Sequence, residues 1–233
     1  MKALLLRIGM DTGTDGALGP IFEDGSFEYV PISERCPSKE TRTYGNTMGR
    51  SGKFLTTYLP TNVQNRMIHF DPEFETFTYG DPTSKRKYLL ALETGDLLVF
   101  YAGLAHYPKN GHNNALYVIG YFQVEKAVDF NKLSREEAQD YSSKYSNNAH
   151  FKRNSDTTDL VLVIGDKGNS KLLKKAILIS QTKIDNAGKP YQAVSKEMEG
   201  QLGIRGSIQR SIPPRFIRGE EHIDHLKKIL LQG

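Results

Sequence analysis

Gly95-Asp96-Leu97-Leu98-Val99-Phe100-Tyr101-Ala102, followed by Ala115-Leu116-Tyr117-Val118-Ile119-Gly120-Tyr121-Phe122-Gln123-Val124, decides the fold. A Gly-Asp turn opens the first apolar run; the second ends in aromatics and a polar tail. Apolar runs of about 4–8 residues bounded by turn residues read as buried strands. The two runs are expected to pair within a small closed or half-closed sheet.

Working outward, Ala3–Ile8 reads as a first strand rather than a leader, because Arg7 and Asp11 interrupt it at once. Gly9 to Gly19 is a loop. Pro20 to Val30 reads as a hairpin turning at Asp24-Gly25, since Asp-Gly supplies the positive φ of tight turns. Pro31 to Gly52 lacks periodicity and reads as a long loop or insertion. Asn65–Phe70 is a short extended piece. Ser84 is the expected N-cap of a helix before Lys85–Leu92. Ser134-Arg135-Glu136-Glu137 is a capping box that starts a helix running to about Tyr145. Asp159–Ile164 and Ala176–Ser180 read as strands, and Asn147 to Thr158 as a loop. Glu220–Leu231 is an amphipathic helix with Ile223, Leu226 and Leu230 on one face. Strands and helices mix without βα alternation. The expected class is α+β, a mixed and partly barrel-like sheet flanked by helices, in one domain over residues 1–233.

Composition narrows the function classes. The chain has 233 residues, 38% of them hydrophobic, enough for a proper core. No apolar stretch approaches the length that spans a bilayer. Cys36 stands alone, which removes internal disulfides and cysteine zinc clusters and fits a cytoplasmic setting. A net charge of +4 permits a phosphate-bearing partner without demanding one. Tryptophan is absent, so stacking platforms would use the 12 Tyr and 11 Phe.

Neither a phosphate-binding Walker loop nor a dinucleotide fingerprint matches Gly9–Gly16, although backbone N–H groups there could cradle an anion. Arg7 and Asp11 could pair at the mouth of the first strand. His69 and Asp71, two apart in an extended segment, share a face, which suits a general base with its carboxylate or two metal ligands. Asp11, His69 and Asp71 are the candidate donor set for a divalent cation. His150, Phe151, Lys152 and Arg153 bring a histidine, a ring and two cations together, a pattern suited to phosphate contact and base stacking. Arg205, Gln209, Arg210, Arg215 and Arg218 make Gly203–Glu221 the most basic segment, an expected nucleic-acid contact. His106, His112, His222 and His225 read as surface residues.

These segments, in this order, resemble the third type of nucleotide modification associated domain, a family met beside DNA base-modification and phage-defence genes. The matching motifs are Arg7-Ile8-Gly9-Met10-Asp11-Thr12, Pro20-Ile21-Phe22-Glu23-Asp24-Gly25, His69-Phe70-Asp71-Pro72, the Gly95–Tyr101 strand, the aromatic Tyr117–Val124 strand, His150, and Arg218-Gly219-Glu220-Glu221. Gly19-Pro20 stands where the family usually has Ser-Pro, and the tryptophan common in the aromatic strand is missing. The strand pairing is similar to that of PUA and EVE barrels. The resemblance implies a nucleotide or nucleic-acid partner. It also implies that Arg7, Asp11, His69, Asp71 and His150 converge at one end of the sheet. Three readings follow: an enzyme acting on a modified nucleotide or base, a reader gripping a modified base between rings, and an interaction subunit.

Overall fold

A computed structural model describes residues 1–109, 111 and 113–233. In chain order the strands are β1 (Ala3–Arg7), β2 (Gly19–Ile21), β3 (Thr78–Asp81), β4 (Leu97–His106), β5 (Ala115–Asp129), β6 (Val161–Gly165), β7 (Lys171–Leu178), β8 (Ser180–Ile184), β9 (Pro190–Val194) and β10 (Arg215–Ile217). The α-helices are α1 (Arg86–Leu89), α2 (Arg135–Lys144), α3 (Ala149–Lys152), α4 (Lys196–Leu202) and α5 (Glu220–Leu230).

The Gly-Asp turn is an anchor for two strands. Gly95 adopts φ +89°, a conformation that favours glycine. The Asp96 carboxylate then accepts the N–H of Lys2 at 2.8 Å and of Glu93 at 2.9 Å. This sets β1 parallel to β4, Ala3 opposite Leu97 and Arg7 opposite Tyr101. The long apolar runs pair as expected, β4 antiparallel to β5. The sheet order is β10-β1-β4-β5-β6-β3, with β2 on β4 and β7 on β5, while β8 and β9 form a separate hairpin.

The register shifts at Phe100/Tyr101, at Val124/Lys126 and at Val118/Gly120. Such bulges bend a strand and raise its twist. The sheet therefore curls, and Arg7 on β1 and Gly80 on β3 line one cleft although three strands lie between them. It does not close: among the described residues no strand joins β3 to β10. The barrel is partial.

Aromatics fill the curl. Phe100 and Phe122 meet edge to face at 4.7 Å, with Phe74 at 5.8 Å and 5.4 Å from them and Tyr79 at 5.6 Å from Phe100. A Cβ on Gly120 would sit 2.8 Å from the Phe74 ring, so glycine there admits that ring. The aromatic strand thus supplies core, and these rings offer no stacking platform.

A second, smaller core lies under the irregular chain before β3, built from Met10, Val30, Tyr44, Leu55, Leu59, Val63 and Ile68. The aperiodic Pro31–Gly52 stretch is therefore packed, with Tyr44 fully buried. The Asp24-Gly25 hairpin and the Ser134 capping box form as expected. Helix α1 differs: Lys85 occupies the N-cap without a side-chain bond, and Ser84 caps nothing. The expected loop at Asn147–Thr158 contains α3, because the Asn148 side chain accepts the His150 N–H and starts a turn. His222 and His225 are half-buried rather than solvent-facing, His222 Nδ1 lying 3.1 Å from the Gln201 carbonyl. His106 is half-buried on β4, and His112 lies outside the described residues. Cys36 is an exposed thiol. Among the described residues no helix is long and apolar enough to cross a membrane.

Candidate functional site

An open cleft of about 230 Å³ lies between the end of β1, β3 and α3, and its walls include Arg7, His69, Asp71, His150, Arg153 and Arg210. The His69–Asp71 segment is held by one isolated bridge, Ser33 with Ile68, and single backbone bonds rather than by a strand ladder. His69 N–H donates to the Ile32 carbonyl, and Asp71 N–H folds back to the His69 carbonyl at 2.9 Å, a three-residue turn instead of extended chain.

The carboxylate hydrogen-bonded to His69 is Glu34, not Asp71. His69 Nδ1 lies 2.7 Å from Glu34 Oε2, both side chains being almost wholly buried. Arg153 pairs with the same carboxylate at 2.9 Å. Burial pushes the Glu34 carboxyl up, but the bonds from His69 and Arg153 outweigh it and hold the group well below the usual carboxylate range. Nδ1 of His69 faces both the Glu34 carboxylate, which only accepts, and an Arg153 nitrogen at 3.1 Å, which only donates. That Arg153 nitrogen is itself paired with Glu34 at 2.9 Å, so the shorter 2.7 Å contact to the carboxylate assigns the proton to Nδ1 of His69. Its Nε2 has no hydrogen-bond partner among the described residues and presents a lone pair.

Asp71 serves the other histidine. Its Oδ1 accepts the Gly80 N–H at 2.8 Å and the Asn148 amide at 3.2 Å, while Oδ2 stands 3.6 Å from His150 Nε2. His150 Nε2 lies 3.1 Å from the Gly80 carbonyl, and Nδ1 lies 3.4 Å from an Arg153 nitrogen that can only donate. Nε2 of His150 is thus the protonated nitrogen. The two imidazoles meet edge to face at 5.0 Å. His69, Asp71 and His150 bring one donor atom each within 4.8 Å of one another.

Asp11 stands apart from that trio, on the β1 side. Its Oδ1 accepts the N–H groups of Gly13 and Thr14, and its Oδ2 takes Arg210 Nε at 2.6 Å with Arg7 at 3.3 Å. Burial raises the Asp11 carboxyl; the Arg210 bond and charge, then Arg7, more than reverse this. The Gly9–Gly16 loop spends its N–H groups of residues 13 to 16 on Asp11 and does not form an anion cradle. The donor set that comes together therefore contains His150 in place of Asp11.

The basic residues divide. Lys152 pairs with Glu40 at 2.7 Å, Arg153 with Glu34 and Arg210 with Asp11. Arg215 donates to the carbonyls of Arg205 and Ser207. Arg205 and Arg218 are exposed, Arg218 lying over the Phe216 ring at 4.8 Å, and Gln209 is half-buried. Sequence reasoning missed Glu34, which sits in an aperiodic stretch with no local signal. It also missed Asn148, whose place before Ala-His-Phe does signal a helix cap, and Asp81, which accepts from the Tyr79 hydroxyl and pairs with Lys85 at 3.3 Å.

The family model for nucleotide modification associated domain 3 matches residues 2–203. The match takes in the whole His69–Asp71–His150 cluster and ends before Arg205, so the Arg218–Glu221 motif lies beyond it. No curated protein and no solved structure matches the chain. With most of its length under that model, the chain belongs to the nucleotide modification associated domain 3 family.

Proposed function

We propose that the cleft is the active centre of an enzyme acting on a modified nucleotide or base, and that His69 is its general base. The observation that carries this is the Glu34–His69 pair, a buried histidine whose Nδ1 is fixed by an ionised carboxylate at 2.7 Å on the wall of an open cleft. A carboxylate at Nδ1 holds the ring in the tautomer that leaves Nε2 basic and stabilises the imidazolium formed when it takes a proton. Glu34 is then a positioning residue. Arg7 supplies positive charge at the β1 end of the cleft, and His150, its Nε2–H directed to the Gly80 carbonyl, lines the wall beside His69. Hydrolysis and group transfer on a modified base are the reaction classes within reach.

A reader would need ring faces. Apart from the two histidines, Tyr79 is the only aromatic ring in the cleft wall among the described residues, and it is 3% exposed with its hydroxyl bonded to Asp81. That favours the enzyme.

Purified protein should be incubated with a panel of base-modified nucleoside mono- and triphosphates, with chromatographic product analysis. Replacing a general base removes about 10²–10⁴ of the rate. The expected result is turnover that His69→Gln lowers by that factor and Glu34→Gln lowers less. Wild-type turnover in His69→Gln would overturn the assignment.

One observation favours a second reading, metal-assisted chemistry: the clustering of His69, Asp71 and His150 within 4.8 Å. Two histidines and a carboxylate with open positions suit a divalent transition metal. His150 would first have to release its Gly80 carbonyl or its Arg153 neighbour. Titration with Zn²⁺, Mn²⁺ and Fe²⁺ separates the two. Tight binding and chelator-sensitive turnover support the metal; turnover that persists in chelator supports the acid–base site.

A further inference from the structure

Arg7 ends an otherwise apolar strand, with its side chain 14% exposed. Its guanidinium forms no hydrogen bond among the described residues, and its Nε is buried with no partner. Its one ion pair is the 3.3 Å contact with Asp11 Oδ2. That same oxygen receives Arg210 Nε at 2.6 Å, and the other carboxylate oxygen is occupied by the loop backbone. Two guanidinium groups thus share one carboxylate.

The other cations of the cleft wall each have their own acid, Lys85 with Asp81 and Arg153 with Glu34. Positive charge is therefore in excess only at the Arg7–Arg210 end. Burial pulls the Arg7 guanidinium below its ordinary value; Asp11 offsets part of this and Arg210 adds to it. Burying charged donors without acceptors is costly. An anion entering the cleft would supply what Asp11 lacks. Planar guanidinium forks match phosphoryl oxygens better than any other side chain does.

Building on the acid–base reading of the same cleft, we infer that Arg7, with Arg210 beside it, forms an oxyanion subsite for a phosphoryl group. The substrate is then a phosphorylated nucleotide rather than a free base or nucleoside. The subsite orients that group while the reacting atoms lie at the His69–His150 end.

Titration calorimetry with inorganic phosphate, adenosine 5′-monophosphate, adenosine and a 5′-hydroxyl oligothymidylate tests this on the full chain. The expected result is binding of phosphate and of the monophosphate, weakened tenfold or more in Arg7→Gln, with adenosine binding far more weakly. Arg7→Lys keeps the charge but loses the fork, and should bind between the two. It also covers the case in which Arg7→Gln fails to fold, as judged by near-ultraviolet circular dichroism. Binding of the oligonucleotide with the same Arg7 dependence supports the subsite and places the phosphoryl group in a strand. Wild-type protein that binds none of the phosphate probes at millimolar concentration overturns the inference. So does unchanged affinity in both Arg7 variants, or adenosine binding as tightly as its monophosphate. His69→Gln should keep phosphate affinity. If it loses turnover while the Arg7 variants keep affinity, the subsite fails and the base stands. If the Arg7 variants lose affinity while His69→Gln keeps turnover, the base fails and the subsite stands.

Discussion

The curled sheet and the irregular chain from Pro31 to Asp71 solve the same problem by different means. In the sheet, backbone donors are met by strand ladders and the interior is aromatic, Phe100 against Phe122. In the irregular chain, regular pairing shrinks to isolated bridges such as Ser33 with Ile68 and Thr43 with Met67. Buried carboxylates take over as acceptors. Glu34 receives the N–H of Arg35 and Cys36, Glu40 those of Thr41 and Arg42, and Glu28 those of Arg50 and Ser51. Buried backbone groups must find partners, and where no neighbouring strand is present ionised side chains are strong ones. Glu34 and His69 thus sit in the part of the molecule held by charge, not by ladders.

The contrast breaks first at its strongest point. Phe100→Ala should cost about 3–5 kcal/mol in urea unfolding, because a fully buried ring leaves a cavity that its aromatic neighbours Phe74, Tyr79 and Phe122 cannot close. Ile68→Ala, in the smaller core one residue before His69, should cost about 2–5 kcal/mol. If that core is as independent as its composition suggests, proteolysis after Ile68→Ala should open residues 31–71 while β4 and β5 stay protected.

Acid sharpens the comparison. Burial raises the Glu40 carboxyl, but bonds from Arg42 and Lys152 outweigh it and leave it lowered to about 2. A lowered folded-state value means Glu40 contributes full stability above the ordinary glutamate value and loses it as pH falls toward about 2. Glu34 moves in the same direction for the same reason. Pepsin digestion between about pH 4.5 and pH 2 should therefore nick the irregular chain before the sheet. Glu40→Gln should flatten that acid dependence. Equal resistance of both regions would contradict the division. The smallest expected effect is Tyr44→Phe, which removes a buried hydroxyl donating to the Pro31 carbonyl at 2.8 Å and should cost about 1 kcal/mol.

The same contrast explains what could be read from the sequence. The Gly95-Asp96 turn, the two apolar runs, the Ser134 capping box and the C-terminal amphipathic helix are local patterns, and each forms where expected. The His69-x-Asp71 spacing and His150 marked polar residues that meet in the cleft. Glu34 was invisible because its partner is 35 positions away and reaches it through an aperiodic chain. The roles within the site moved for the same reason. Asp71 turns to His150 and Gly80, and Asp11 to Arg210, 199 positions away, pairings that no periodicity encodes. Helix α3 was hidden because a single turn capped by Asn148 carries too few residues to show a period.

The most direct test of the central claim needs no substrate. Long-range ¹H–¹⁵N correlation of the histidine side chains at mildly alkaline pH reports which nitrogen of neutral His69 is protonated. A Nδ1–H tautomer in the wild type that is lost in Glu34→Gln is the predicted result, because only the carboxylate at 2.7 Å holds the proton there. A Nε2–H tautomer in the wild type, or a spectrum that Glu34→Gln leaves unchanged, would contradict a Glu34-positioned base.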